Sequence, residues 1–142
     1  MPGARLSPRL AAVVDALPLR AGMRVLEIGC GPGAAARAVA ARIGDGHVLA
    51  IDRSATAIRQ AIAASADEIA GGRLRFLRAA VEAFELPPRE PRFDLAFAVR
   101  VGALDGRHPK LEREALDRIR AALKPRGRLF VDGGDPLREI RL

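Results

Sequence analysis

The 142-residue chain has no tryptophan, no tyrosine and one cysteine, Cys30. A lone cysteine cannot form an internal disulfide, so a reducing, cytoplasmic compartment is expected. The aromatic complement is five phenylalanines, all in or beside apolar segments, which leaves little to stack on nucleic-acid bases. No apolar run approaches the roughly 20 residues that cross a bilayer, so no membrane partner is expected. The N-terminal stretch "MPGARLSPRLAAVVDALPL" is interrupted by Arg9 and Asp15, which argues against a signal peptide. Lysine is nearly absent: among 24 Lys and Arg residues only Lys110 and Lys124 are lysines. The net charge of +7 would suit an anionic partner such as RNA or DNA. Yet the arginines spread from Arg5 to Arg141 without a dense block, as a general bias toward Arg and Ala would give. Nucleic acid is therefore the less favoured partner. No zinc-like Cys/His spacing occurs, Asp94, Asp105 and Asp132 make no convincing ligand set, and no metal is expected.

Hydrophobic residues make up 49% of the chain, enough for a proper core. The length suits one domain, 1–142, with 1–21 as a helical lead-in. "SPRLAAVVDAL" (7–17) begins with a serine cap and a proline at the first helical position. "MRVLEIG" reads as a buried strand, followed by a glycine turn and a helix to about Ile43. "HVLAID" (47–52) is a second strand, and "SATAIRQAIAASADEIA" (54–70) one capped helix closed by Gly71 and Gly72. "RLRFLRA" (73–79) is a third strand, after which "AVEAFELPPREPR" must be mostly loop with one helical turn. "FDLAFAV" (93–99) is a fourth strand, residues 108–125 an amphipathic helix, and "GRLFVDG" (127–133) a fifth strand; "GDPLREIRL" has no clear assignment. Strands alternating with helices predict an α/β fold: a doubly wound, mainly parallel sheet of about five strands with helices on both faces. Ligands of such sheets sit beyond the carboxyl ends of the strands, near the switch point. The turn from Gly29 to Gly33, Asp52, and the loops after Ala79 and Val99 lie there.

A glycine-rich turn between strand and helix lets a ligand approach bare backbone and points free amides at it. "GCGPGA" fits the loose dinucleotide pattern G-x-G-x-x-[GA] through Gly29, Gly31 and Ala34, a weak match by itself. Asp52 ends the second strand where an acid can bind ribose hydroxyls. NAD and S-adenosylmethionine both carry an adenosine ribose, so Asp52 does not separate them.

"VLEIGCGPG" resembles the first motif of class I S-adenosylmethionine-dependent methyltransferases, with Glu27 two places before Gly29 and a G-x-G-x-G series through Gly31 and Gly33. "VLAIDRS", with Asp52 and Arg53, resembles the second-strand motif, "FDLAFAVR" the fourth, and "ALDRIRAALKPRGRLFVDG" the helix, turn and fifth strand that follow; relatives often have Lys-Pro-Gly-Gly where this chain has "KPRG". The resemblance runs from about Ser7 to Gly133. It implies S-adenosylmethionine as cofactor and S-adenosylhomocysteine as product. Glu27 would help hold the methionine amine, the glycine turn the methionine end, and Asp52 the ribose. Cys30 would supply a small side chain and backbone contact. Relatives have a Gly-Asp-Ala-like segment at the adenine loop; here Ala79, Ala80 and Val81 replace the acid unless Glu82 takes its role, with Val81 free to pack on adenine.

Displacement at an activated methyl donor needs positioning above all, so no catalytic triad is required. His108 is the candidate for a general base, against a plain helix cap or solvated loop; His47 is read as structural. Arg100 would meet an acidic substrate or line the cofactor site. An Asn-Pro-Pro-aromatic motif is replaced by "VRVGAL", which disfavours amino-group methylation of DNA or RNA. Relatives continue past the fifth strand with a helix and an antiparallel strand pair. A minimal enzyme with an open site, a homodimer across the exposed sheet edge, and a degenerate, non-catalytic fold all remain open, as does an NAD-binding protein. A small-molecule acceptor is favoured slightly over a macromolecule.

Overall fold

Apolar runs bounded by turn glycines become six strands of one sheet in the computed structural model, which describes residues 6–142: β1 (Arg24–Ile28), β2 (His47–Asp52), β3 (Leu74–Arg78), β4 (Phe93–Ala98), β5 (Leu123–Asp132) and β6 (Leu137–Ile140). The helices are α1 (Pro8–Ala16), α2 (Ala34–Ala40), α3 (Ala55–Ala64), α4 (Ala66–Ala70) and α5 (Pro109–Ala122). Residues 1–5 of the expected lead-in lie outside the described residues. The strand order is β3-β2-β1-β4-β5-β6, parallel throughout except for β6, which runs antiparallel to β5. The order reverses between β1 and β4, so the switch point opens at the carboxyl end of β1.

Successive strand residues point to opposite faces, which divides the core in two. On one face Val25, Val48, Leu95 and Phe97 pack with Val14 of α1, Val39 of α2 and Ile58 of α3. On the other Leu26, Leu49, Ile51 and Ala96 pack with Ala115, Ile119 and Ala122 of α5. Because β1, β2 and β4 are covered on both faces, they read as near-continuous apolar runs. At α1 the Ser7 Oγ accepts from the Leu10 amide at 3.2 Å, with Pro8 at the first helical position.

Four expected boundaries move. The helix expected over 54–70 is two helices, broken at Ser65, whose buried hydroxyl accepts from Arg37 at 3.0 Å and whose backbone leaves helical space (φ −121°, ψ 28°). α2 stops at Ala40: the Ala41 amide still bonds four residues back, to the Arg37 carbonyl, but the Arg42 amide bonds only three back, to the Val39 carbonyl at 2.9 Å. α5 ends at Ala122 and β5 begins at Leu123; the register jumps from Phe93–Leu123 to Leu95–Arg128 around residues 124–127. The unassigned tail contains β6, which occupies the edge of β5 that the sequence left open.

Candidate functional site

The turn after β1 takes a path that only glycine follows without strain: φ is +73° at Gly29, +53° at Gly31 and +90° at Gly33. The amides of Gly29 and Cys30 donate to the Ile51 carbonyl at 2.8 and 3.0 Å, fastening the turn to β2. A Cβ on Gly29 would stand 2.7 Å from Val101 Cγ2, whereas one on Gly31 would meet nothing within 4 Å. Gly31 thus leaves an open face of backbone. Asp52 closes the other side: its Oδ2 accepts from the Gly31 amide at 2.9 Å and its Oδ1 from the Ser54 amide at 2.8 Å. Arg37 braces the turn by donating to the Pro32 carbonyl at 2.9 Å.

Two cavities meet at this turn, and both touch Gly29 and Arg100. The smaller, about 230 Å³, is lined by Glu27, Cys30 and Gly31, with Ser7 and Leu10 of the α1 segment across from them. The larger, about 370 Å³, is lined by Asp52, Arg53, Ala80, Val81, Glu82 and His108. Every residue singled out from the sequence as a cofactor or catalytic candidate therefore borders one or both cavities, apart from Gly33. Gly33 caps α2, with a hypothetical Cβ 3.0 Å from the Phe76 ring.

Glu27 is 3% exposed, and among the described residues its Oε1 has no hydrogen-bond partner. Burial, then the nearby charge of Asp52, push its carboxyl up to about 8, against a smaller opposing pull from Arg37. Burial, then the nearby acids Glu27 and Asp52, push the Cys30 thiol well above the usual thiol range, which disfavours the thiolate. His108 occupies the N-cap of α5 without a side-chain capping bond. His47 lies at the start of β2, with Nδ1 2.9 Å from the Gly72 carbonyl oxygen, away from both cavities.

A larger hollow, about 820 Å³, lies at the opposite end of the sheet beside Met23, Asp94 and Lys124. Its acid is already satisfied, since Asp94 accepts from Lys124 at 2.8 Å and from the Arg24 amide at 2.9 Å. It also lies at the amino ends of the strands, whereas parallel sheets bind ligands at the carboxyl ends. The candidate site is therefore the one at the glycine turn.

Several bordering residues escaped the sequence. Leu10 and Leu111 belong to apolar helix faces, and nothing in a helix pattern separates a core leucine from a cavity wall. Val101 begins a 3-10 turn at Gly102–Leu104 that the pattern did not show. Asp132 joins distant pieces: its carboxylate accepts from the Arg100 amide and from Arg9 of α1, each at 3.1 Å. Among the described residues, no group of three or more His, Cys, Asp or Glu is placed to hold a metal, and no helix is long and apolar enough to cross a membrane.

A family model described as a methyltransferase domain matches residues 25–127. Among solved structures, a SAM-dependent methyltransferase from Thiobacillus denitrificans, in complex with S-adenosyl-L-homocysteine, is similar with a TM-score of 0.68 and 24% identity over 89% of this chain and 48% of its own. Phosphoethanolamine N-methyltransferase 2 of Haemonchus contortus, in complex with S-adenosyl-L-methionine, gives 0.68 and 26% over 87% of this chain and 27% of its own. The cyclase SpnF gives 0.68 and 27% over 86% of this chain and 42% of its own. The chain spans less than half the length of each of these. No curated protein matches the sequence. The doubly wound sheet, the glycine turn at its switch point and a family match from the start of β1 into β5 place the chain in the methyltransferase-domain family.

Proposed function

We propose that the chain binds S-adenosylmethionine and transfers its methyl group to a small-molecule acceptor. Glu27 carries this reading. A buried carboxyl oxygen without a partner is costly, and a ligand that brings an ammonium group supplies the missing donors and a charge that favours ionisation of the carboxyl. The rest of the site fits such a ligand. Gly31 admits the methionine end at close range, Asp52 has lone pairs left for ribose hydroxyls, and Val81 offers an apolar surface for adenine. Arg53, Ala80 and Glu82 complete the wall on that side, and Arg100 stands where the two cavities meet.

A nicotinamide dinucleotide suits the site less well. It brings no primary ammonium group to Glu27, whose buried Oε1 would be left without a donor. When bound, S-adenosylmethionine supplies a methyl group on positively charged sulfur, already activated for displacement. The chain's residues then hold and orient the two partners and keep water out. If the acceptor must lose a proton, His108 is the base that borders the site.

Calorimetric titration with S-adenosylmethionine, S-adenosylhomocysteine and NAD tests the cofactor, with Glu27→Gln and Asp52→Ala as controls. Micromolar binding of the first two, weakened in both variants, is expected; binding of NAD alone would contradict the proposal. A second reading is cofactor binding without methyl transfer, favoured by the likeness to a cyclase. Incubation with S-adenosylmethionine labelled at the methyl group and a pool of small metabolites separates the two. Label moving to an acceptor supports transfer, and tight binding with no transfer to any acceptor supports the second reading.

A further inference from the structure

Another cavity, about 230 Å³, opens beyond the carboxyl ends of β4 and β5. Val101 and Leu104 form its apolar wall, and Arg100, Asp105, Asp132 and Arg138 its polar part. It shares Arg100 and Val101 with the larger cavity of the glycine turn, so it adjoins the proposed cofactor site. Its balance of charge is uneven once partners are assigned. Asp105 is claimed by Arg107, whose side chain and amide donate to it at 2.7 and 3.0 Å and hold its carboxyl below the usual carboxylate range. Asp132 is claimed by Arg9 and by the Arg100 amide. Among the described residues, neither the Arg100 nor the Arg138 guanidinium has an ion pair or hydrogen bond. Among the described residues, the cavity thus holds two acids with partners and two arginines without.

The backbone fixes where each of these two exposed side chains starts. Arg100 has a left-handed conformation, φ +57°, that is uncommon outside glycine, and the Asp132 carboxylate on its amide secures it. Arg138 stands opposite Val131 in the β5–β6 ladder, so the two side chains share a face of the sheet. Its Nε would lie 3.7 Å from a Cβ placed on Gly133, which puts the stem over that turn.

We infer that this cavity binds the acceptor by a carboxylate or phosphate group held between Arg100 and Arg138. The role as acceptor site rests on the proposed cofactor reading; the anion site itself does not. A guanidinium offers a planar fork of donors that matches either oxyanion. An acceptor anchored there would have the rest of its body against the shared wall at Val101, beside the cofactor.

The test titrates inorganic phosphate, and separately acetate, into the full chain at constant ionic strength, with and without S-adenosylhomocysteine, and follows backbone amides by NMR. Saturable shifts confined to Arg100, Val101, Arg138 and their neighbours are expected at millimolar concentrations. Arg138→Ala should weaken phosphate binding about tenfold. Arg141→Ala, an equal loss of charge elsewhere, should leave it unchanged, and Arg138→Lys should keep part of it. S-adenosylhomocysteine affinity should be unaltered in Arg138→Ala. Shifts scattered over many arginines, or equal weakening by the Arg138 and Arg141 variants, would overturn the site. Localised phosphate shifts with no S-adenosylhomocysteine binding would defeat the cofactor reading and leave the anion site supported. The reverse outcome would defeat the anion site alone.

Discussion

At Glu27, burial opposes ionisation in the free protein, and a ligand ammonium would reverse that balance. The carboxyl rises from its ordinary 4.5 to about 8 chiefly because it is buried. A raised value means that the stabilising preference for the proton is complete below about 4.5 and is lost as pH climbs through about 8. The ligand-free protein should therefore lose stability between about pH 4.5 and about pH 8, and Glu27→Gln should flatten that slope. Urea denaturation across this range checks it; equal slopes in the two proteins would refute the assignment. Gly31 gives a second test. With φ +53° and nothing within 4 Å of a Cβ, Gly31→Ala should cost about 1 kcal/mol of stability through backbone strain alone. Its methyl group would occupy the ligand's approach, so cofactor affinity should fall by more than about tenfold. Denaturation and calorimetry on the same sample separate the two effects.

Among the elements, α1 is the one whose function its own pattern conceals. It starts at the Ser7 cap, lends Leu10 to the smaller cavity and is tied to the end of β5 by Arg9 and Asp132. Ser7→Ala should cost about 1 kcal/mol and speed amide exchange in residues 8–16, with weaker binding of S-adenosylhomocysteine. Exchange as slow as in the parent would contradict this. The same scale shows what the sequence could disclose. β1, β2 and β4 were legible because burial on both faces leaves unbroken apolar runs, and the glycines and Asp52 because their chemistry admits few uses. β6 was not. Leu137 packs on one core and Ile140 on the other, three residues apart, so no alternation marks "LREI" as a strand. The break at Ser65 depends on Arg37 reaching across from α2, and a contact between helices leaves no trace in local periodicity. Val101 and Leu111 look like any core residue, since a cavity wall and a packed interior ask for the same side chains.

Across the whole molecule, two carboxylates meet at the switch point of a chain whose net charge is +7. The fold brings Glu27 from β1 and Asp52 from β2 to the ends of neighbouring central strands, so a ligand held there stabilises the native state as a unit. S-adenosylhomocysteine at about one hundred times its Kd should raise the unfolding free energy by about 2.7 kcal/mol, while NAD should do nothing comparable. The most direct test of the central claim is calorimetry of S-adenosylhomocysteine binding at neutral pH in two buffers of different ionisation enthalpy. Glu27 is mostly protonated in the free protein and would be ionised beside the ligand's ammonium group. The account predicts micromolar binding with close to one proton released, seen as a heat that changes between buffers and loses that dependence in Glu27→Gln. Binding of NAD in its place, no binding, or a heat identical in both buffers would contradict it.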